Sequence, residues 1–392
     1  MPLGLYISVP FCPVKCSYCN FASDVFSRSV FAGYIDRVCA DLGNARRMSE
    51  LAGAGFDPVV DSIYFGGGTP TLLDIAQLER IFVTISQNFE VRPRAEITVE
   101  CAPGTLAPPM VDALARWRVN RVSLGVQSFV DREAASVGRR HDRATVLQDI
   151  SRLRAAGIEN LNIDLIAGLP YQSAESWAGS LTEAIATGTP HVSVYMMEVD
   201  EDSRLGRELV AGGTKYHAHF VPDEDLVADL YESARATLES AGIHQYEISN
   251  FGCAGFESRH NLKYWTRQAY LGFGVDAHSM LLSADGGVRF AWPESLQEYL
   301  ATRQVTPISV TKRSALEETF FLGLRLNKGV DLREAESQFG RDAVDEYLGV
   351  IGDLQTTGLL EGDGDAIRLT KRGRLLSNEV FQQFISVPVK TG

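Results

Sequence analysis

Three thiols at spacings of four and three, in Cys12-Pro13-Val14-Lys15-Cys16-Ser17-Tyr18-Cys19, are the side chains of this sequence best suited to chemistry. Sulfurs on one short loop can converge on one metal centre, and thiolate is the usual ligand of iron–sulfur clusters, normally four to a four-iron cube. This loop supplies three. If no distant residue completes the set, one iron keeps an open position, which in metal sites is where substrate or cofactor chemistry happens. Three other readings compete. Buried structural cysteines are one, but Pro13, Lys15 and Ser17 are poor core residues. A zinc site usually pairs ligands from two knuckles, and no second closely spaced cysteine pair exists here. Cys16-Ser17-Tyr18-Cys19 alone has the spacing of a redox dithiol, which leaves Cys12 unexplained. Cys39, Cys101 and Cys253 stand singly and read as reduced, small core residues in a chain without an export signal.

Other candidates follow downstream. Gly66-Gly67-Gly68-Thr69-Pro70 allows backbone to approach a ligand without a Cβ in the way, although a glycine-rich turn is often only a turn. Glu100, Gln127, Arg139 and Asp164 are polar groups at or near the ends of apolar runs. A carboxylate inside Leu161-Asn162-Ile163-Asp164-Leu165-Ile166 needs a partner or a ligand to offset its desolvation. In Arg259-His260-Asn261-Leu262-Lys263-Tyr264-Trp265 a histidine stands beside two aromatics. It reads either as a hydrogen-bonded, half-buried side chain or as an axial ligand for haem iron with a porphyrin packed on the rings.

The elements that must position these groups alternate. Strand-like runs recur at Leu3–Val9, Ser62–Phe65, Glu96–Glu100, Arg121–Val126, Asn160–Ile166 and His191–Met197. Helical spacing lies between them, as in Asp142–Ala156, where Val146, Leu147, Ile150 and Leu153 share a face and Gly157 supplies the stop. Six β/α units predict an α/β fold with a parallel sheet, a partial (β/α)6 barrel of the TIM type. In such folds function sits at the carboxyl ends of the strands, where the cysteine loop and the glycine run both fall. Glu224–Ala241 reads as an amphipathic helix closed by Gly242. From about Thr311 the pattern changes: helices at Ala315–Leu324 and Asp342–Gln355, and a hairpin around Gly362-Asp363-Gly364-Asp365, predict a small helix-rich domain of winged-helix type. The expected units are therefore residues 1–245, 246–310 and 311–392. Glu317, Glu318, Glu334, Glu336 and Asp342 give the last no basic face for DNA. It reads as a lid or docking module.

At 392 residues, 45% hydrophobic and net charge −13, the chain can bury a sizeable core and has no general attraction for phosphate backbones. No stretch approaches the ~20 apolar residues that span a bilayer, and no signal peptide is apparent. A cytoplasmic protein with no nucleic-acid partner and no transmembrane segment is expected.

Cys12-x-x-x-Cys16-x-Tyr18-Cys19 after a first strand resembles the signature of the radical S-adenosylmethionine (SAM) superfamily, in which three cysteines hold a [4Fe-4S] cluster and SAM chelates the fourth iron. The glycine run resembles the element that pairs with the methionine amino group of SAM. The strings around Glu100, Gly125-Val126-Gln127-Ser128-Phe129, Gly138-Arg139-Arg140-His141 and Asn162 to Pro170 resemble those of the anaerobic coproporphyrinogen III oxidase family. That resemblance implies SAM contacts at Tyr6, Gly67, Gly68, Thr69, Glu100, Gln127, Arg139 and Asp164, with the carboxylates on a ribose or ammonium group and Arg139 on the methionine carboxylate. His260-Asn261-x-x-Tyr264-Trp265, with Tyr270-Leu271-Gly272-x-Gly274 and Ala277-His278-Ser279, resembles the haem chaperones of the same family and implies haem binding at His260, His278 being its main competitor. It implies further partners: an acceptor protein for the haem and an electron donor for the cluster. Within the family the expected function is haem delivery. The alternatives are oxidative decarboxylation of coproporphyrinogen III, or haem modification by a related radical enzyme. The oxidases have a further cysteine two residues after the third, where this chain has Phe21, and an N-terminal extension for which Cys12 lies too near Met1. Both departures favour the chaperone.

Overall fold

A computed structural model describes residues 2–201, 203–283, 286–362 and 365–385. Six strands run parallel in sequence order: β1 (Leu3–Val9), β2 (Val59–Gly67), β3 (Glu90–Cys101), β4 (Arg121–Gln127), β5 (Asn160–Ala167) and β6 (His191–Met196). Helices return the chain between them, among them Arg143–Ala155 and Ala174–Ala186, N-capped by Asp142 and Ser173. The chain is thus an α/β fold, a partial barrel, with a smaller helix-rich C-terminal part.

Both faces of these strands are buried, yet they alternate. On β1, Leu3, Leu5, Ile7 and Val9 join the large apolar core beneath the helices. On the opposite face, in register with Gly4, Tyr6 and Ser8, the residues of β2 to β6 that point into the barrel include Ser62, Glu96, Thr98, Arg121, Ser123, Asn162, His191 and Ser193, all polar and buried. The lumen is a hydrogen-bonded network. Asn162 donates to Ser123 Oγ at 2.7 Å, Asp164 Oδ1 at 2.7 Å and Ser193 Oγ at 2.9 Å. Such pairing is what makes buried polar groups tolerable.

The stretch expected to be a connecting region is part of the same sheet. Two short strands, β7 (His244–Gln245) and β8 (Asn250–Gly252), extend the β6 edge, where β8 runs antiparallel to β6. At the other edge β9 (Tyr270–Phe273) lies parallel to β1, followed by antiparallel β10 (His278–Ser283), β11 (Gly286–Ala291) and β12 (Ile308–Val310). Twelve strands among the described residues therefore form one sheet. Trp292 and Tyr299 belong to its core, while Leu316, Phe320, Tyr347 and Phe384 sit in a second core of the C-terminal part.

That part holds the helix Lys312–Gly323 and a three-stranded sheet of β13 (Val330–Asp331), β14 (Leu360–Gly362) and β15 (Ala366–Leu369). The turn expected at Asp363-Gly364 lies outside the described residues. The single helix expected over 342–355 is two, Arg341–Asp345 and Leu348–Thr356, and the break turns Tyr347 onto Phe320 with ring centroids 5.2 Å apart. Glu318, read from sequence as surface charge, is buried. It accepts from Arg267 Nε at 2.7 Å and pairs with Arg289 at 2.9 Å, tying the helix to the sheet.

Candidate functional site

The cysteine loop is clamped along its length. Cys12 N donates to Asp24 O at 3.0 Å and Asp24 N to Pro10 O at 2.9 Å, which closes the loop on itself. Lys15 Nζ reaches Phe21 O and Ser23 O at 2.7 and 2.6 Å. Ser17 N donates to Val137 O at 3.1 Å, and Leu205 N donates to Ser17 O at 2.9 Å. The clamp from Leu205 has no local sequence signal. Cys16 is buried, and Cys12 and Cys19 are half-buried. Burial pushes the Cys12 thiol up; the Ser23 hydroxyl opposes this, and the Cys19 and Cys16 sulfurs add to it, so the three lie within electrostatic reach of one another. Among the described residues no three metal-binding side chains meet around one ion-sized point. A four-iron cube takes one thiolate per iron, so its ligands need not meet there.

The β2 end docks on this loop. Gly68 N donates to Val9 O at 2.9 Å and Thr69 N to Phe11 O at 2.7 Å. A Cβ at Gly68 would stand 2.7 Å from Phe11 O and 2.8 Å from Val9 O, backbone atoms that cannot move aside, and Gly67 has φ +97°. The glycine run is therefore required by close approach between two loops, as well as by any ligand.

Glu100 closes the same end. It accepts from Tyr64 Oη at 2.7 Å and from Gly67 N at 3.2 Å. Burial raises its pKa to about 7; the bonds from Tyr64 and Gly67 pull it down, and the Asp164 charge pushes it up. Asp164 accepts from Asn162 and, at 3.1 Å, from Ser123, and burial raises its pKa too. Tyr6 lies beside Gly67, its hydroxyl 3.4 Å from where a Cβ would be, and Gln127 adopts φ +70° at the end of β4. Arg139 donates Nη1 to Cys16 Sγ at 3.6 Å and Nη2 to Gly125 O, while its buried Nε has no partner. A guanidinium next to a cluster thiol with an unused buried donor suits an anionic ligand group. Sequence reasoning missed Tyr64; the alternation Ser62-x-Tyr64-x-Gly66 on the lumen face was the available signal.

His260 lies elsewhere. The helix Arg259–Trp265 plugs the opposite end of the lumen, its first amides capped by Glu96, which accepts from Arg259 N and His260 N at 3.0 Å each. The ring is 0% exposed, with Nδ1 3.0 Å from Ser62 Oγ and Nε2 2.9 Å from Tyr264 Oη. Burial, then Lys263 and Arg121, lower its pKa to about 3, so it stays neutral. Trp265 carries the Arg325 guanidinium 4.3 Å from its ring, and Tyr264 packs edge-on against Tyr270. The expected axial haem ligand does not fit this geometry: neither nitrogen is free, and the aromatics are used in packing against the sheet and the C-terminal part. Ser62 and Tyr264 orient the imidazole, not Asn261. His260→Ala should cost about 2–4 kcal/mol of stability, from two orphaned partners and a cavity, and leave haem titration unchanged. A lost Soret band with unchanged denaturation midpoint would reverse this assignment. His278, the competitor, is 66% exposed on its side chain and lies 3.5 Å from Asp276.

Comparison with known proteins shows the family and the fold. Residues 6–184 match the Radical SAM superfamily and residues 310–376 the HemN C-terminal domain. Proteins named Heme chaperone HemW from Lactococcus lactis and Bacillus subtilis are 32% and 33% identical, over 98% and 97% of this chain and 97% and 98% of theirs. A mouse protein named radical S-adenosyl methionine domain-containing protein 1, mitochondrial, is 32% identical over 83% of this chain and 74% of its own. The solved coproporphyrinogen III oxidase HemN of Escherichia coli superimposes with TM-score 0.82 at 25% identity, over 98% of this chain and 90% of that one. No helix among the described residues is long and apolar enough to cross a membrane.

Proposed function

Since the chain belongs to the radical SAM superfamily and, within it, to the family of the HemW haem chaperones, we propose that it binds haem and delivers it to an acceptor protein. Its cofactors as a radical SAM protein are a [4Fe-4S] cluster and SAM. The observation that carries the chaperone reading is full-length similarity to proteins of that name, at 32–33% identity. Phe21, 65% exposed where the oxidases have a further cysteine, supports it. The HemN superposition favours a second reading, coproporphyrinogen III oxidation. One anaerobic preparation, reconstituted with iron and sulfide, distinguishes them: haem titration should show stoichiometric binding, and coproporphyrinogen turnover should not exceed a cluster-free control. Turnover without haem binding would establish the oxidase instead.

In this reading Cys12, Cys16 and Cys19 hold the cluster, and Tyr6, Gly67, Gly68, Thr69, Glu100, Gln127, Arg139 and Asp164 hold SAM. When bound, the cluster supplies an iron that fixes SAM and an electron for its reductive cleavage. The chain's own contribution is positioning. The latch of Gly68 and Thr69 onto Val9 and Phe11 sets the distance between the cysteine loop and the SAM loop. Tyr64 and Gly67 hold Glu100 toward the same space, and Arg139 adds positive charge beside Cys16. An electron donor is required for the cluster, and a reducing compartment such as the cytoplasm fits six free cysteines.

Glu100 gives the site a pH dependence. Its folded pKa, about 7, lies above the ordinary 4.5, so the folded apo-protein binds the extra proton between these values and loses stability as pH rises through that window. A cationic SAM group beside it favours the carboxylate, so SAM affinity should fall as pH drops below 7. In Glu100→Gln that slope should vanish; a slope that survives would place the titrating group elsewhere.

A further inference from the structure

The loop Gly274 to Ala277, which joins β9 to β10, stands at the same end of the barrel as the cysteine loop, because β9 runs parallel to β1 and is paired with it. Its backbone is fixed from several sides. Val275 N donates to Tyr34 Oη at 3.2 Å, and that hydroxyl donates to Ser8 O at 2.6 Å, so the helix Phe31–Gly43 ties the loop to β1. Asp276 N donates to Pro293 O at 2.9 Å, and Trp292 N to Ala277 O at 3.0 Å. Two glycines make room for this. A Cβ at Gly274, where φ is +106°, would stand 2.6 Å from Ser8 O. One at Gly272, the β9 residue in register with Tyr6, would stand 2.9 Å from His278 N, so the chain entering β10 crosses the face that Tyr6 shares.

This frame holds up two side chains that it does not use. Asp276 keeps φ +56°, a conformation that a residue other than glycine holds only where its surroundings impose it. The exposed His278 ring has Nε2 3.5 Å from Asp276 Oδ1, and its Nδ1 has no partner among the described residues. Asp276 is also within electrostatic reach of the SAM-side residues: burial pushes the Tyr6 hydroxyl up, and the charges of Glu100 and, more weakly, Asp276 add to it. The other six histidines are placed differently. His191 and His260 are buried with both nitrogens engaged. His141 donates Nε2 to Val126 O, and His217 has Nδ1 on Tyr171 Oη. His219 and His244 are exposed, without a carboxylate partner among the described residues. On the loop after the neighbouring strand β1, Phe21 and Val25 leave apolar surface in water at the same end of the barrel.

Resting on the haem reading above, we infer that His278 is the axial ligand that the barrel mouth presents to haem iron, with Asp276 as the carboxylate that orients it. An imidazole binds metal through one nitrogen while a carboxylate facing the other fixes the ring and raises its basicity. Histidine is an ordinary protein ligand of haem iron. The locked backbone supplies the ring in place before the ligand arrives, which lowers the ordering cost of binding, and exposure leaves it open to a cargo that must also depart. The iron would then be held at the cluster end of the barrel, at the opposite end from His260, with Phe21 and Val25 on the adjoining loop as apolar contacts for the macrocycle.

The test uses the full chain, reconstituted with its cluster and titrated with haemin and with iron-free protoporphyrin IX. His278→Ala should shift the haemin Soret band and weaken haemin roughly a hundredfold, with protoporphyrin affinity and cluster absorbance unchanged, and free imidazole should restore the parent spectrum. Asp276→Asn should weaken haemin roughly tenfold, as loss of the group that orients a ligand does. His219→Ala and His244→Ala should bind haemin as the parent does. If the parent binds haemin and His278→Ala matches it, or if His219→Ala or His244→Ala loses the band instead, the His278 assignment is overturned while the haem reading stands. If His278→Ala weakens protoporphyrin equally and imidazole restores nothing, the ring is a packing contact and the iron-ligand assignment falls. If the parent binds no haemin, both fall.

Discussion

Cys16→Ala protein, reconstituted anaerobically, is expected to carry almost no iron and to lack the broad visible absorbance of a thiolate-bound cluster. The loop offers three thiols, and Cys39, Cys101 and Cys253 are isolated in sequence, so no spare ligand stands beside the site. Cys16 is also the buried one of the three and the one that Arg139 contacts at 3.6 Å. Folding should survive, because the loop's backbone bonds to Asp24, Val137 and Leu205 do not involve the sulfur. Cys12→Ala and Cys19→Ala should behave alike, whereas Cys39→Ala should retain the full cluster. Iron analysis and visible absorbance on the same samples check this. A full complement of iron in Cys16→Ala would remove the loop from metal binding altogether.

Arg139→Ala should weaken SAM binding by about 1.5–3 kcal/mol, or roughly 10- to 150-fold, while the cluster remains. The guanidinium is buried, with Nη2 fixed on Gly125 O and Nε without a partner, so a carboxylate entering the site would meet a donor already held in place. Gly125 is part of the arrangement, since a Cβ there would stand 2.5 Å from Nη2. Arg139→Lys should recover only a fraction of the affinity, because an ammonium keeps the charge and loses the fork. Equilibrium dialysis with SAM on the reconstituted variants is the measurement, and affinity equal to the parent's would take Arg139 out of the site.

The chain's own letters determined a good deal. Cysteine spacing, the glycine run and the order of strands and helices are local properties. Thiols four and three apart share a loop whatever the rest of the chain does, and periods of 2 and 3.6 report which residues alternate or share a face. The six parallel strands are accordingly where the apolar runs place them, although β2 and β3 extend beyond the runs that announced them.

Tertiary structure decided which side chains meet. The strands, read as apolar runs, are apolar toward the helices and polar toward a buried lumen. Only closure of the sheet could reveal that Ser62, Glu96, Arg121 and Asn162 face one another. β9 pairs with β1 across more than half the chain, so residues 270–310 became the sheet's flank rather than a connection, and a four-residue register between strands so far apart leaves no trace in local pattern. His260 shows the difference most clearly. Beside Tyr264 and Trp265 a histidine is equally suited to haem and to a core, because sequence gives its neighbours and not its partners. Ser62, 198 residues away, and Glu96, whose carboxylate caps the helix, are the partners that occupy the ring and its backbone. Conversely, Arg204 to Phe220 has no motif, yet Glu208 folds its turn back onto the helix whose Leu205 clamps the cysteine loop. Periodicity is set by neighbours along the chain, and it is legible; a hydrogen-bond partner is set by the fold that brings distant strands together, and it is not.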